Sequence, residues 1–188
     1  MLTSHIISRH TWKASDLMRF AIFLPQKDFK DETASLIKLI MEKWGVGIDM
    51  VSYGKGCIGT HGAMYKTDVN MSSLPIEKYD GIVLVDGKGI DDTKIYDYRP
   101  LLETIMRFDQ NKKAVISVGN AGKIVARANI IKGRKMAVPD TDTMKMVTLF
   151  SGIPSKNSHE IAGNLITIKD SDSIENSSDA ILQYLGVM

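Results

Sequence analysis

One cysteine, Cys57, is all the thiol this chain holds in 188 residues. No disulfide can form within a single chain, which excludes a stapled secretory scaffold and fits a reducing compartment. An excess of either charge is missing too: 24 Lys and Arg stand against 22 Asp and Glu, a formal net charge of +2. Without a block of like charge, the electrostatic footprint of a nucleic-acid binder is absent. No apolar run approaches the roughly 18 residues that a spanning helix needs. Ahead of Met18 no apolar run is longer than two residues, as in Ile6-Ile7, short of the ~7–15-residue apolar stretch of a signal peptide. These absences lead to the expectation of a cytoplasmic protein with no membrane and no nucleic-acid partner. The four histidines, His5, His10, His61 and His159, show no metal-ligand spacing, so neither a metal nor a cofactor is expected.

What is present is a chain 44% hydrophobic, of a size for one core. Residues 1–17 read as an N-terminal arm or a misassigned extension ahead of a domain spanning 18–188, because Met18 directly precedes the first strand-like run. That run, Arg19–Leu24, ends at Pro25. Apolar positions Ala34, Leu36, Ile37, Leu39, Ile40, Met41 and Trp44 then make a helical stripe over Asp31–Trp44, with Asp31 and Glu32 in the first turn, where the helix dipole favours acids. Strands are expected at Ile48–Tyr53, Ile82–Val85, Ala114–Val118 and Asn164–Lys169. Helices are expected at Pro100–Asp109, from Gly122 to about Ile130, at Thr141–Phe150 and at Ser173–Leu185. The Gly-rich stretch Gly54–Gly62 reads as a turn or short hairpin, and Gly87-Lys88-Gly89 as a loop. Strands alternating with helices favour a mostly parallel sheet covered on both faces. Ligands of such sheets sit at the carboxyl ends of the strands, here after Leu24, Val85 and Ile116.

Few motifs point to chemistry on their own. Gly119-Asn120-Ala121-Gly122-Lys123 has two residues between its glycines where a phosphate loop needs four, and Ile124 follows the lysine instead of Ser or Thr. Ser117-Val118-Gly119 is half of a G-x-S-x-G elbow, because position 115 is Val. His61 and His159 are loop histidines. Cys57, between glycines, carries no sign of a lowered thiol pKa and reads as inert.

Five segments in order resemble the DJ-1/PfpI (ThiJ) family of the class I glutamine-amidotransferase-like superfamily. Ala21–Glu32 is similar to its first strand and acidic helix start. Val51-Ser52, His61-Gly62 and Asp68 are similar to the stretch after its second strand. Tyr79–Gly87 resembles its DYDALVLPGG, Lys113–Gly119 its K-x-[VI]-a-x-I-C-x-G-P, and Gly163–Thr167 its DGNLIT. The resemblance, from Arg19 to Leu185, implies a flavodoxin-like three-layer sandwich with a mostly parallel central sheet, and a homo-oligomer. It also implies the chemistry of active members: a cysteine at a strained strand–helix elbow, a glutamic acid from the first helix sharing a proton with it, and an oxyanion hole of backbone N–H groups around paired glycines. Activities in the family include intracellular protease or amidase, glyoxalase or deglycase, and chaperone roles.

At those positions the sequence departs. Ser117 is read as standing at the cysteine position, followed by Val118 where a histidine often follows, and Asn120 replaces the usual proline. Asp86 replaces the first paired glycine and leaves Gly87. The glutamate position falls at Thr33 or, with a one-residue shift, at Glu32. A serine hydroxyl is a far weaker acid than a thiol and needs a positioned base; His61, or His159 from another subunit, are the sequence's candidates. Two readings follow. The first is a binding, regulatory or stress-related protein with a degenerate active site, its pocket near Ser117 free to hold a small molecule. The second is a divergent hydrolase or glyoxalase-type enzyme with Ser117 as nucleophile and Gly87 and Val118 as oxyanion donors.

Overall fold

The structure is a computed structural model that describes residues 17–187. The expected N-terminal arm therefore lies, but for Leu17, outside the described residues. The described chain opens with β1 (Arg19–Phe23), the short β2 (Lys27–Phe29) and helix α1 (Asp31–Lys43). β3 (Gly47–Ser52) leads to β4 (Gly56–Gly59), β5 (Met64–Lys66) and β6 (Val69–Asn70). β7 (Gly81–Leu84) runs into the short helix α2 (Lys88–Asp92), then α3 (Arg99–Gln110). β8 (Ala114–Val118) turns into α4 (Gly122–Arg127), followed by β9 (Lys135–Ala137), α5 (Thr141–Leu149) and β10 (Ile153–Ser155). β11 (His159–Ala162), β12 (Leu165–Ile168) and α6 (Ile174–Leu185) complete it.

The central sheet has the order β11-β12-β8-β7-β1-β3-β6 and is parallel except for β11. The expected three-layer, mostly parallel sandwich is what the chain forms. Strands β7, β8 and β12 are buried along their whole length, as strands covered on both faces must be, and this is why they read as unbroken apolar runs. Alternation along β1 sends Phe20 and Ile22 to one face and Ala21 and Phe23 to the other. The first face packs Ile37 and Met41 of α1 with Ile174 and Ile181 of α6. The second packs Leu101, Ile105 and Phe108 of α3 with Ile124 and Val125 of α4. After β1 the chain crosses to β3 on one side, and β7 then returns to the other. The topological switch point thus lies between β1 and β7, whose carboxyl ends carry Leu24-Pro25 and Val85-Asp86-Gly87.

Several local expectations need adjusting. The Gly87-Lys88-Gly89 segment is not a free loop, because α2 starts at Lys88. It packs so closely that a Cβ on Gly89 would lie 1.9 Å from the Lys27 carbonyl oxygen. Helix α4 stops at Arg127 rather than near Ile130, and Asn129 takes a left-handed φ of 58° just past its end, a usual closing device for asparagine. The Gly-rich stretch holds β4, which pairs antiparallel with β5 as a hairpin and also parallel with β2. Among the described residues no helix is long and apolar enough to cross a membrane.

The entry to β7 gives a first test. A Cβ on Gly81 would lie 2.3 Å from the Phe20 ring and 2.7 Å from the Ala114 carbonyl oxygen, so the clash includes backbone that cannot yield. Gly81→Ala should lower unfolding free energy by about 1–3 kcal/mol, the usual cost of overpacking, read by urea denaturation.

Candidate active site at the switch point

The turn from β8 into α4 is made at Gly119. Val118 is still extended, with φ −114° and ψ 136°, while Gly119 adopts φ 55° and starts a short 3-10 turn through Ala121. A side chain is disfavoured there twice. The left-handed region costs an L residue roughly 1–2 kcal/mol, and a Cβ on Gly119 would lie 2.4 Å from Asp86 Oδ2. The Asp86 carboxyl, from the end of β7, fills the space a side chain at this turn would need.

Ser117, expected at the elbow, lies two residues earlier inside β8. It is in register with Leu84 of β7 and Thr167 of β12 and is 1% exposed. Neither candidate base is bonded to it: His61 is an exposed residue whose backbone N–H donates to Asp31, and His159 Nδ1 sits 3.3 Å from Ser158 Oγ. Val118 is fully buried in the α1-side core. Of the two glutamate-position candidates, Glu32 is exposed and Thr33 is fully buried. One residue is about 100° of helix rotation, which separates the two.

Thr33 and Asp86 face each other in a closed interior. Asp86 is 6% exposed, and burial pushes its carboxyl up to about 6. The Thr33 hydroxyl and the charge of Lys30 oppose the rise, whereas the charge of Asp170 adds to it. The Thr33 contact falls short of a formed hydrogen bond, because Thr33 Oγ1 and Asp86 Oδ1 are both buried without a partner among the described residues. The Asp86 carbonyl accepts from the Lys30 N–H at 2.8 Å, which ties β7 to the start of α1.

Gly87, the expected oxyanion donor, is engaged already. Its N–H donates to Asn120 Oδ1 at 3.0 Å, and Asn120 Nδ2 donates to the Gly87 carbonyl at 2.9 Å and to Asp91 Oδ2 at 3.0 Å. Gly87 has φ 151°, and a Cβ there would meet the Asp28 carbonyl oxygen at 2.3 Å. Beyond Asn120, the nearly buried Lys123 donates to Asp91 Oδ1 at 2.6 Å. Asp91 and Lys123 were invisible as partners in the sequence, since no spacing joins a helix after β7 to one after β8. Cys57 is buried, and burial raises its thiol pKa against the pull of the Ser52 and Thr67 hydroxyls. Among the described residues no group of three or more His, Cys, Asp or Glu is placed to hold a metal ion.

A parallel sheet with its central strands in this order, closed at the switch point by residues from β7, β8 and α1, defines a flavodoxin-like α/β protein. The chain belongs to the DJ-1/PfpI family, whose model matches residues 18–183. An uncharacterised protein of Methanocaldococcus jannaschii is 28% identical over 148 residues, 78% of this chain and 72% of that protein. A ThiJ/PfpI domain protein from Brachyspira murdochii superposes with a TM-score of 0.82 at 20% identity, covering 91% of this chain and 96% of that one. A DJ-1 superfamily protein from Agrobacterium tumefaciens gives 0.80 at 19% identity over 92% of each chain. Schizosaccharomyces pombe DJ-1 gives 0.76 at 10% identity over 89% of this chain and 91% of that one. At such identities the solved structures establish the fold.

The Asp86 carboxyl makes stability depend on pH in a defined direction. Its folded pKa, about 6, lies above the ordinary 3.8, so the folded state holds the proton more tightly. Stability from this group is greatest below pH 3.8, falls as pH rises toward 6, and is then level. Asp86→Asn keeps the shape and removes the charge. It should match wild type near pH 3.5 and exceed it by up to about 3 kcal/mol above pH 7, measured by urea denaturation of both proteins across the range.

Proposed function

We propose that this chain is a DJ-1/PfpI protein that has given up its family's cysteine chemistry and acts through binding, in a regulatory or stress-related role, as a cytoplasmic homo-oligomer. The observation that carries the reading is the Asp86 carboxyl standing where a side chain on Gly119 would project. The resemblance implies that active members hold their nucleophile at the strained turn between strand and helix. Here the residue with that geometry is Gly119, which has no side chain, so we assign the nucleophile position to Gly119 in place of Ser117. The match of Lys113–Gly119 to the family pattern supports this, since it runs from the pattern's lysine to its cysteine.

The surroundings support the same reading. A proton-sharing carboxylic acid from the first helix is replaced by Thr33, and the Gly87 N–H is held by Asn120. An oxyanion hole works only with donors free to meet developing charge. The alternative, a hydrolase or glyoxalase/deglycase-type enzyme using Ser117, gains no support, because that hydroxyl is almost wholly covered within β8. A serine nucleophile needs a base within about 3 Å.

Two experiments test this. Amidase substrates and methylglyoxal should not be turned over by wild type or by Ser117→Ala; turnover that Ser117→Ala abolishes would establish a serine enzyme. The second rebuilds the elbow. Gly119→Cys alone should destabilise the fold, because its Cβ collides with Asp86. The double variant Asp86→Gly, Gly119→Cys should recover much of that loss and show a native thiol that reacts with a disulfide reagent, whereas wild-type Cys57 reacts only on unfolding. Additive losses in the two single variants would refute the contact between the two positions.

A further inference from the structure

A second concavity opens at the carboxyl ends of β1 and β3, on the face that carries α2 and α3. It is a cleft of about 360 Å³ lined by Phe23, Pro25, Gln26, Ser52, Tyr53, Ser72, Thr93, Ile95 and Tyr98. Small-molecule sites run from roughly 300 to 1,000 Å³ and favour such strand ends. Segments far apart in sequence build it: the ends of β1 and β3, the turn after β6, and the chain between α2 and α3.

Its walls are aromatic and its polar groups neutral. Tyr53 stands edge-on to Tyr98, with ring centroids 4.9 Å apart at 89°, and edge-on to Phe23 at 6.2 Å and 73°. Two of the hydroxyls are committed as donors, Ser52 to the Leu24 carbonyl at 2.8 Å and Thr93 to the Gly89 carbonyl at 2.6 Å. Among the described residues the polar ends of Gln26, Tyr53, Ser72 and Tyr98 are left to meet a ligand. Burial raises the Tyr53 pKa, so its hydroxyl stays a donor. No lining residue is charged, and a charged ligand would lose solvation there without gaining a counter-charge.

We propose that this cleft binds a small, uncharged, flat molecule of one or two rings whose edge carries both a hydrogen-bond donor and an acceptor, as a primary carboxamide does. Tyr53 and Tyr98 supply apolar walls for its rings, and Gln26, an amide itself, can pair with such an edge in both directions. The proposal goes beyond the reading of the Gly119 turn and stands whether or not that turn has any chemistry.

Benzamide, benzoate and benzamidine are close to isosteric and differ in charge, which makes them the probes. Titrated into nitrogen-labelled protein at pH 7, benzamide should shift the backbone amides of Tyr53, Ser72, Thr93 and Tyr98 saturably, with a Kd of about 1–10 mM for a ligand of its size. Benzoate and benzamidine should bind at least about fivefold more weakly, for want of a counter-charge. Tyr98→Ala, at a 44%-exposed position, should weaken benzamide at least about fivefold. Gln26→Leu, on the exposed rim, should weaken it by a smaller factor and serves if Tyr98→Ala fails to fold. Leu149→Ser, at an exposed position on α5 that does not line the cleft, should change nothing. No saturable shift, equal binding of all three probes, or a response centred away from these residues would overturn the proposal.

Discussion

A buried carboxyl packed against a glycine is the constraint on which the closed end of this sheet depends. Asp86 leaves β7 at its carboxyl end and enters the space above Gly119, where β8 turns into α4. The two positions are coupled in both directions. A side chain at 119 has nowhere to go while Asp86 is there, and the carboxyl has room because 119 carries no Cβ. The coupling reaches α1 as well, since the Asp86 carbonyl holds the Lys30 N–H and the Asp86 side chain faces Thr33.

The neighbouring contacts extend this closure across the switch point. Asn120, next to Gly119 in the turn, clasps the backbone of Gly87 through the oxygen and the nitrogen of its amide and donates to Asp91, which Lys123 then neutralises. Such a chain joins α2 to α4 over the ends of β7 and β8. It holds the Gly87 N–H, so that donor is not free to meet a ligand. The buried Asp86 charge, by contrast, costs stability near neutral pH, because burial outweighs the help of Thr33 and Lys30. The same carboxyl occupies the space that a side chain on Gly119 would need.

The sheet was legible in the sequence because its strands are covered on both faces. Ala114–Val118 is buried at every position and stands out as an apolar run; α1 stands out through Ala34, Ile37 and Met41 on its inner face. The two- to three-residue strands β2, β6, β9 and β10 are too short to carry a period, and their pairing depends on partners that arrive from elsewhere in the chain. The site was legible in part. Thr33, Asp86 and Asn120 could each be marked as departures from a family pattern, with Gly87 as the glycine it keeps. The geometry that relates them could not: whether Ser117 or Gly119 forms the turn is a matter of two residues of strand length, and strand ends are set by the hydrogen-bonded partners, here Leu84 and Thr167 beside Ser117. A positive φ at a glycine leaves no mark in sequence beyond the glycine itself.

The same topology that gathers residues at one switch point leaves open ground beside it. The strand ends of β1 and β3 lie next to those of β7 and β8 in one sheet, but they meet different layers: α1 and Asp86 on one face, α2 and α3 on the other. On the first face the Asp86 carboxyl and the Thr33 hydroxyl are sealed from water, and the Gly87 N–H is held by Asn120. On the second, Gln26, Ser72 and Tyr53 border a cleft with aromatic walls. Ligand binding at strand ends needs shape, solvent access and uncommitted hydrogen-bonding groups together. In this chain the Gly119 turn is filled by Asp86, and the open, aromatic-walled cleft lies one strand further along the sheet.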